Sequence, residues 1–218
     1  MRSGILVAAA LALMTPTVAL AAGALVNSKH DLSSASTGPN KSATQNQLCV
    51  FCHVAHNSAP AVGRPLWNHS MTSQALSWNP GTTVRGTTLP TDITSTALNG
   101  SRACMSCHDG TIALGDLLNG SFPVTGANVD ANGKLNSGVN HLIPGSMQTN
   151  HPLGVKQPTT VIPGFTGFKS VPATNAVNYD GNGYVQCDSC HNPHDNTFPP
   201  FLKIDNTQST ICTTCHNL

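Results

Sequence analysis

Charged side chains and aromatic rings are both scarce in this chain of 218 residues. Asp, Glu, Lys and Arg together make up 9% of the sequence, and the formal net charge is +1 with histidine neutral. The few lysines are scattered and form no basic patch, so the sequence gives no support for nucleic-acid binding. Aromatic residues make up only 5% of the chain, which is little material for a core built from side chains alone.

Sustained hydrophobic periodicity is also missing. Residues 120–155, for example, follow neither a period of 2 nor a period of 3.6, and Gly, Pro, Asn, Ser and Thr are frequent throughout. This pattern predicts mostly irregular coil with a few short helices and little or no sheet. The best helix candidate runs from Cys104 to Gly120, because its apolar residues fall on one side and a glycine can end it. Those apolar residues are Ile112, Leu114, Leu117 and Leu118.

No apolar run is long enough to cross a membrane. Residues 1–22 instead have the three parts of a cleaved secretory signal peptide. Arg2 is the positive start, Ile5 to Met14 form a short apolar core, and Ala19-Leu20-Ala21 is a small-residue cleavage site. We expect cleavage after Ala21 or Ala22. The mature chain, 23–218, is then exported and carries no membrane anchor.

What the chain does contain is the pattern Cys-x-x-Cys-His, four times over, and the four copies use all eight cysteines. In c-type haem attachment the two thiolates bond to the porphyrin vinyl groups, and the adjacent imidazole ligates the iron from the proximal side. The pattern therefore predicts four covalently attached c-type haems. The attachment cysteines are Cys49 and Cys52 (motif 1), Cys104 and Cys107 (motif 2), Cys187 and Cys190 (motif 3), and Cys212 and Cys215 (motif 4). The corresponding proximal ligands are His53, His108, His191 and His216.

Two other interpretations fit cysteine pairs: a zinc site, or four disulfides in an exported protein. Neither of them requires a histidine after every second cysteine. Four porphyrins would also supply the apolar core that the composition lacks. The expected architecture is thus a multihaem cytochrome c fold in which the haems are the core.

Six further histidines could fill the distal positions of these irons. We favour His30, His56, His151 and His194 as distal ligands, and regard His69 and His141 as possible ones. His56 and His194 each follow a proximal histidine by three residues, so they lie on the same side of a helical turn. Neither can reach the far face of its own haem, and each must ligate a neighbouring haem or none. Met71, Met105 and Met147 are alternative axial groups that we interpret as packing residues.

The motifs also suggest an internal repeat. Motifs 1 and 3 extend to Cys-x-x-Cys-His-x-x-His and are followed by proline-bearing loops, whereas motifs 2 and 4 are plain. The chain reads as two dihaem modules, about 23–120 and 180–218, with a loop-rich segment between them. Chance convergence of short motifs is the alternative.

The stretches KHDLSS, CVFCHVAHN, RPLWNH, CMSCHDGTIALGD, NHPLGV, CDSCHNPH and ICTTCHN together resemble the small multihaem c-type cytochromes of metal-respiring bacteria. More narrowly, the chain is similar to the tetrahaem and hexahaem outer-surface cytochromes that polymerise into extracellular filaments (nanowires). The resemblance implies bis-histidine haems in a continuous chain, head-to-tail self-association, and electron transfer to external acceptors. It also implies that His56 crosses to a neighbouring subunit. Four motifs, however, set this chain apart from the hexahaem members.

Three classes of function remain open at this point. The first is an electron-transfer protein, either a filament subunit at the cell surface or a soluble periplasmic tetrahaem shuttle that meets other redox proteins. The second is a multihaem reductase acting on a small oxyanion, and the third is an exported structural or metal-binding protein. Surplus histidine favours electron transfer over an enzyme, because an iron with two imidazoles leaves no position for substrate.

Overall fold

The computed structural model describes residues 25–59, 64–83, 87–136, 146–156, 167–169 and 177–217. Most of this chain is irregular, which confirms the predicted fold class. The regular elements are helices α1 (Asn99–His108), α2 (Cys187–Cys190) and α3 (Thr210–Thr213), three short 3₁₀ helices (Cys49–Phe51, Thr96–Leu98 and Thr207–Ser209), and strands β1 (Asn40–Ser42) and β2 (Val124–Gly126). Residues 1–22 and His141 lie outside the described ranges, so the signal peptide and that candidate ligand stay predictions.

The predicted helix from Cys104 to Gly120 is wrong in its bounds. The helix begins five residues earlier, at Asn99, and ends at His108. The Asp109 carboxylate accepts hydrogen bonds from the Thr111 backbone N–H at 2.8 Å and its hydroxyl at 2.7 Å. Gly110 then adopts a φ of +69°, in the left-handed region. Because this side-chain turn competes with the helical hydrogen bonds and glycine tolerates the positive φ, the chain leaves the helix immediately after the motif.

Strands β1 and β2 form a two-stranded antiparallel sheet that joins the segment before motif 1 to the segment after motif 2. Asn40 pairs with Gly126, and Ser42 pairs with Val124. A side chain at position 126 would collide with the backbone, because an added Cβ would lie 2.0 Å from the Pro39 carbonyl oxygen. Glycine is therefore required for the strands to approach this closely.

Two small apolar clusters form the side-chain core of the described chain. One cluster consists of Leu76, Ile93, Leu98, Met105, Met147 and Leu153. The other consists of Leu32, Phe51, Leu114, Leu117 and Val124. Met105 and Met147 lie fully inside the first cluster, in agreement with their interpretation as packing residues. Among the residues described, no helix is both long and apolar enough to span a bilayer.

The proposed division into two dihaem modules stays a prediction. α1, which carries motif 2, packs directly against α2, which carries motif 3. The two segments that the division separates therefore share a buried contact. This contact determines how motifs 2 and 3 lie relative to each other.

Candidate haem-binding site

Each of the four motifs folds as one helical turn. In motif 1 the backbone N–H of His53 donates to the Cys49 carbonyl at 2.8 Å, and in motif 4 His216 makes the same bond to Cys212 at 2.9 Å. Motif 3 closes the turn with a bond from His191 to Cys187, and motif 2 is the last turn of α1. Residues at positions i, i+3 and i+4 share a face of a helical turn. The two thiols and the imidazole of each motif are thus grouped as haem attachment requires.

All eight cysteines lie in the described ranges, and none of them is in a disulfide. Within the same ranges, no three His, Cys, Asp or Glu side chains are grouped as a metal-ion site needs.

Three of the four motif histidines face a histidine from elsewhere in the chain at nearly the same separation. The pairs are His53 with His194 (ring centroids 6.0 Å apart, planes at 19°), His30 with His108 (6.0 Å, 69°) and His151 with His216 (6.2 Å, 61°). Every pair joins one proximal histidine to one predicted distal histidine. The candidates that the structure brings to a motif are therefore His30, His151 and His194.

The separation fits an iron atom between the rings. An imidazole nitrogen lies about 2.0 Å from a first-row metal ion and roughly 1.2 Å from its own ring centre, which places two opposed ring centres roughly 6.3 Å apart. The near-parallel rings of His53 and His194 would lie much closer if they stacked directly, because aromatic carbons in contact are about 3.5–4.0 Å apart. The residues present consequently fit haem with two axial imidazoles.

Hydrogen bonds prepare several of these imidazoles as ligands. Nδ1 contacts a backbone carbonyl oxygen in four histidines: His53 with Pro65 (2.8 Å), His69 with Ser70 (3.0 Å), His151 with Pro152 (2.9 Å) and His191 with Pro200 (3.0 Å). A carbonyl oxygen only accepts, so Nδ1 is assigned as the donor. In the neutral ring Nε2 then carries the lone pair that binds a metal.

Burial also favours the neutral form of four of the paired imidazoles, those of His30, His108, His151 and His194. It lowers the pKa of His108 to about 4, with smaller contributions from the charges of His30 and His191. The pKa values of His30, His151 and His194 are also lowered, and burial is the largest cause in each case. Neutral imidazole is the form that ligates iron, so the electrostatics of the site agree with its geometry.

His69 is more buried than the neighbouring residues in the sequence predict. The side chain is fully buried, and its Nε2 makes no hydrogen bond. Burial alone would lower its pKa, but the negative charge of a Cys107 thiolate and contact with its sulfur raise the value to about 9. Thioether formation removes that charge from Cys107. A neutral His69 would then present a buried lone pair, which makes it a stronger ligand candidate than the sequence indicated.

The structure does not bring His56 to a motif. Its side chain is exposed, and no ring pair involves it in the described chain. His191 is likewise the one proximal histidine for which the described residues supply no imidazole partner. Among the described residues, therefore, no imidazole faces motif 3, and one favoured distal candidate, His56, faces no motif.

The thiols of successive motifs are neighbours. A shared hydrogen bond between Cys104 and Cys187 raises the pKa of Cys104 well above its ordinary value. Burial, together with the nearby Cys107, raises the pKa of Cys52 to about 12. The pKa of Cys190 is raised by burial and by the charges of both motif 4 thiols. Motifs 1 to 4 accordingly adjoin one another in chain order.

Sequence reasoning missed the groups that orient these ligands. Pro65, Pro152 and Pro200 accept the Nδ1 hydrogen bonds, and each lies in a proline-bearing loop that follows or flanks a ligand. The prolines were visible in the sequence, but their carbonyls had no predicted partner. Trp67 was missed as well. Its indole stands edge-on to His53, with ring centroids 6.1 Å apart and planes at 88°.

The family model of the doubled CXXCH motif matches residues 181–217, which include motifs 3 and 4. Doubled motifs of this kind are typical of multihaem c-type cytochromes, and the matched pattern indicates covalently bound c-type haem and electron transfer. No curated protein matches the chain.

Proposed function

We propose that this multihaem cytochrome carries four c-type haems and conducts electrons along them, from subunit to subunit of a head-to-tail extracellular filament. Motifs 1 to 4 hold haems I to IV. External acceptors receive the electrons, and no substrate is transformed on the protein. The observation that carries the proposal is the set of three proximal–distal histidine pairs at 6.0–6.2 Å.

Coordination by two imidazoles supports electron transfer over catalysis. An iron with both axial positions filled by protein has no site left for an oxyanion, whereas haem enzymes keep one position open. Bound haem supplies one-electron redox chemistry at the iron. The protein supplies the two imidazoles, their orientation through Nδ1, and a surrounding low in charge.

The contacts between motifs support a continuous path. In each of motifs 1, 2 and 3, one cysteine has its pKa raised in part by a cysteine of the next motif, which places successive motifs close together. Since each thiol becomes a bond to the edge of a porphyrin, neighbouring thiols imply neighbouring porphyrin edges. Electrons would then pass between neighbouring haems of this set of four.

The unpaired residues support self-association. His191 has its Nδ1 held by the Pro200 carbonyl and is thereby oriented for iron, yet within the described chain no distal imidazole faces it. His56 is exposed. We infer that His56 of one subunit completes the haem III iron of the next. When such a contact is not reciprocal, it is heterologous, and it continues into a filament when its rotation does not close a ring; a reciprocal contact closes a dimer.

A second candidate, the soluble periplasmic shuttle, is favoured by one observation. His69 is buried, and its Nε2 makes no hydrogen bond in the described chain, so a neutral ring would present a free lone pair there. If His69 were to complete haem III within the same subunit, every iron would be saturated in the monomer. The filament and the shuttle thus differ in the distal ligand of the haem III iron, which is His56 of a neighbour in the first case and His69 of the same subunit in the second.

The decisive experiment compares His56→Ala with His69→Ala in the exported holoprotein. Haem content is measured as the pyridine haemochrome, ligation by electron paramagnetic resonance, and assembly by electron microscopy and light scattering. If the protein is a filament subunit, we expect the wild type to polymerise. His56→Ala should then keep four haems but remain monomeric, with one misligated iron. Unchanged filaments from His56→Ala would overturn the proposal, as would a strictly monomeric wild type at high concentration. Misligation only in His69→Ala, with a monomeric wild type, would establish the shuttle.

A further inference from the structure

The chain has two tryptophans, and their indole N–H groups differ in one respect. The Nε1 of Trp78 donates to the Pro90 carbonyl oxygen at 2.9 Å. The Nε1 of Trp67 is buried and has no hydrogen-bond partner. Buried polar groups in folded proteins nearly always have a partner, because an unpaired donor has lost its water without replacement. Trp67 therefore calls for an acceptor that the described part of the polypeptide does not provide.

Trp67 is held against motif 1. Its backbone forms a bridge with His53, and its carbonyl accepts a hydrogen bond from the Ala59 N–H at 2.7 Å. Its ring stands edge-on to the His53 imidazole at 6.1 Å between centroids. Asn68, the next residue, is fully buried and donates through its side chain to the Val50 carbonyl at 2.7 Å. The indole is thus fixed beside the proximal ligand of haem I.

The chemistry of haem limits what the acceptor can be. All four pyrrole nitrogens are bound to iron, and the vinyl groups become thioethers at Cys49 and Cys52. The carboxylates of the two propionates are then the only strong acceptors left on the group. An indole N–H only donates, and its hydrogen bond to an ionised carboxylate is of the strong, charge-assisted kind.

We propose that Trp67 Nε1 donates a hydrogen bond to a propionate carboxylate of haem I and thereby positions that haem and tunes its reduction potential. The inference rests on the proposed attachment of haem at motif 1. Reduction adds an electron near the carboxylate, so a donor that disperses the carboxylate charge favours the reduced form. Loss of the donor should lower the potential of haem I and leave the potentials of haems farther along the chain unchanged.

The test uses the holoprotein in two matched variants. Trp78→Phe leaves Trp67 as the only indole, and Trp67→Phe leaves Trp78. Ultraviolet resonance Raman of the indole N–H-sensitive band should show a hydrogen-bonded Trp67 in the Trp78→Phe holoprotein. Haem labelled with ¹³C at its propionate carboxyls should show a carboxylate infrared shift in Trp67→Phe and none in Trp78→Phe. Spectroelectrochemistry should show one potential lowered in Trp67→Phe only.

A free indole N–H in the Trp78→Phe holoprotein would overturn the inference, and so would an unchanged carboxylate band in Trp67→Phe. If Trp67→Phe fails to fold, the Raman spectrum of Trp78→Phe alone decides. The haemochrome assay separates this failure from failure of the proposed function. With motif 1 loaded and the indole free, only the role of Trp67 is refuted. With motif 1 never loaded, the proposed function fails as well.

Discussion

The imidazoles of His53 and His194 lie nearly parallel, with ring centroids 6.0 Å apart and planes at 19°. His53 is the proximal histidine of motif 1, whereas His194 follows motif 3. Under the proposed function, the segment after Cys190 would therefore hold a proximal ligand for haem III, His191, and a distal ligand for haem I, and one short stretch of chain would tie these two haems together. If a histidine beside motif 3 ligates the haem of motif 1, the chain between these distant motifs must fold before that ligand is in place. Folding of the chain would then be coupled to haem attachment.

This pairing makes a prediction for His194→Ala. The variant should retain all of its haems, since attachment depends on the cysteines, but haem I should lose its distal ligand and turn high-spin. Electron paramagnetic resonance and paramagnetic NMR would assign the altered iron. His151→Ala is the matched control, because it removes the partner of His216 and should alter haem IV instead. A change confined to haem III in His194→Ala would contradict the pairing.

Ligand saturation makes a second prediction. If every iron in the assembled protein has two imidazoles, the oxidised protein should be entirely low-spin, and the reduced protein should bind little CO without denaturation. Disassembly into monomers should expose one reactive iron per chain, because the inferred fourth ligand comes from a neighbour. Absorption spectra under CO, before and after disassembly, would measure this. CO binding by most haems of the assembled protein would point to the reductase instead.

The haem-attachment turns were the most predictable part of the fold. Two thiols and an imidazole at i, i+3 and i+4 need only local chain, so the motifs could be identified without knowledge of the tertiary structure. Proximal ligation by His191, for example, follows from its position beside Cys190. The end of α1 was predicted wrongly, because apolar spacing through Leu117 outweighed the turn that Asp109 and Gly110 form. The hydrogen bonds that the Asp109 carboxylate accepts end the helix at this point, although the apolar periodicity continues.

Long-range relationships could not be read from the sequence. That His194 must serve another haem followed from its spacing, but not that its partner would be His53. Loops without periodicity determine such pairings, and their course depends on contacts between distant segments. His69 and Trp67 lie two residues apart in a polar stretch, yet both have buried ring nitrogens without hydrogen bonds. Burial at these two positions results from packing of distant segments around them, which no local sequence pattern predicts.

The pKa of His108 makes a prediction for acid. Burial lowers this pKa from 6.5 in an exposed ring to about 4 in the folded chain. Between these values the unfolded state binds more protons, so stability should rise with pH. It should be complete above about pH 6.5 and be lost progressively towards pH 4. Denaturant titrations of the holoprotein from pH 4 to 8, at constant ionic strength, would test this. Stability that rises on acidification through that window would contradict the assignment of His108 as a buried neutral ligand.

Gln186 joins α1 to α2 through a buried network of four side-chain hydrogen bonds. Its Oε1 accepts from the Ser101 N–H at 3.0 Å and from the Ser101 hydroxyl at 2.6 Å. Its Nε2 donates to the Ala97 carbonyl and to the Asp180 carboxylate, both at 2.9 Å. The Ser101 hydroxyl oxygen also accepts from the Cys187 N–H at 3.1 Å. This network positions the first thiol of motif 3 against motif 2, where Cys104 and Cys187 share a hydrogen bond.

Gln186→Leu should therefore lower the free energy of unfolding. It should also weaken the contact that positions motif 3, and hence haem III, against motif 2 and haem II. The substitution replaces the amide with a branched apolar side chain of similar size and leaves buried partners unsatisfied, which we expect to cost about 2–4 kcal/mol of unfolding free energy. Gln148→Leu, at an exposed position, is the control and should stay within about 0.5 kcal/mol of the wild type. Denaturant unfolding would measure stability, and magnetic coupling between the two irons would report the contact between motifs 2 and 3. Wild-type stability and wild-type coupling in Gln186→Leu would show that motifs 2 and 3 are held together by their haems and not by this network.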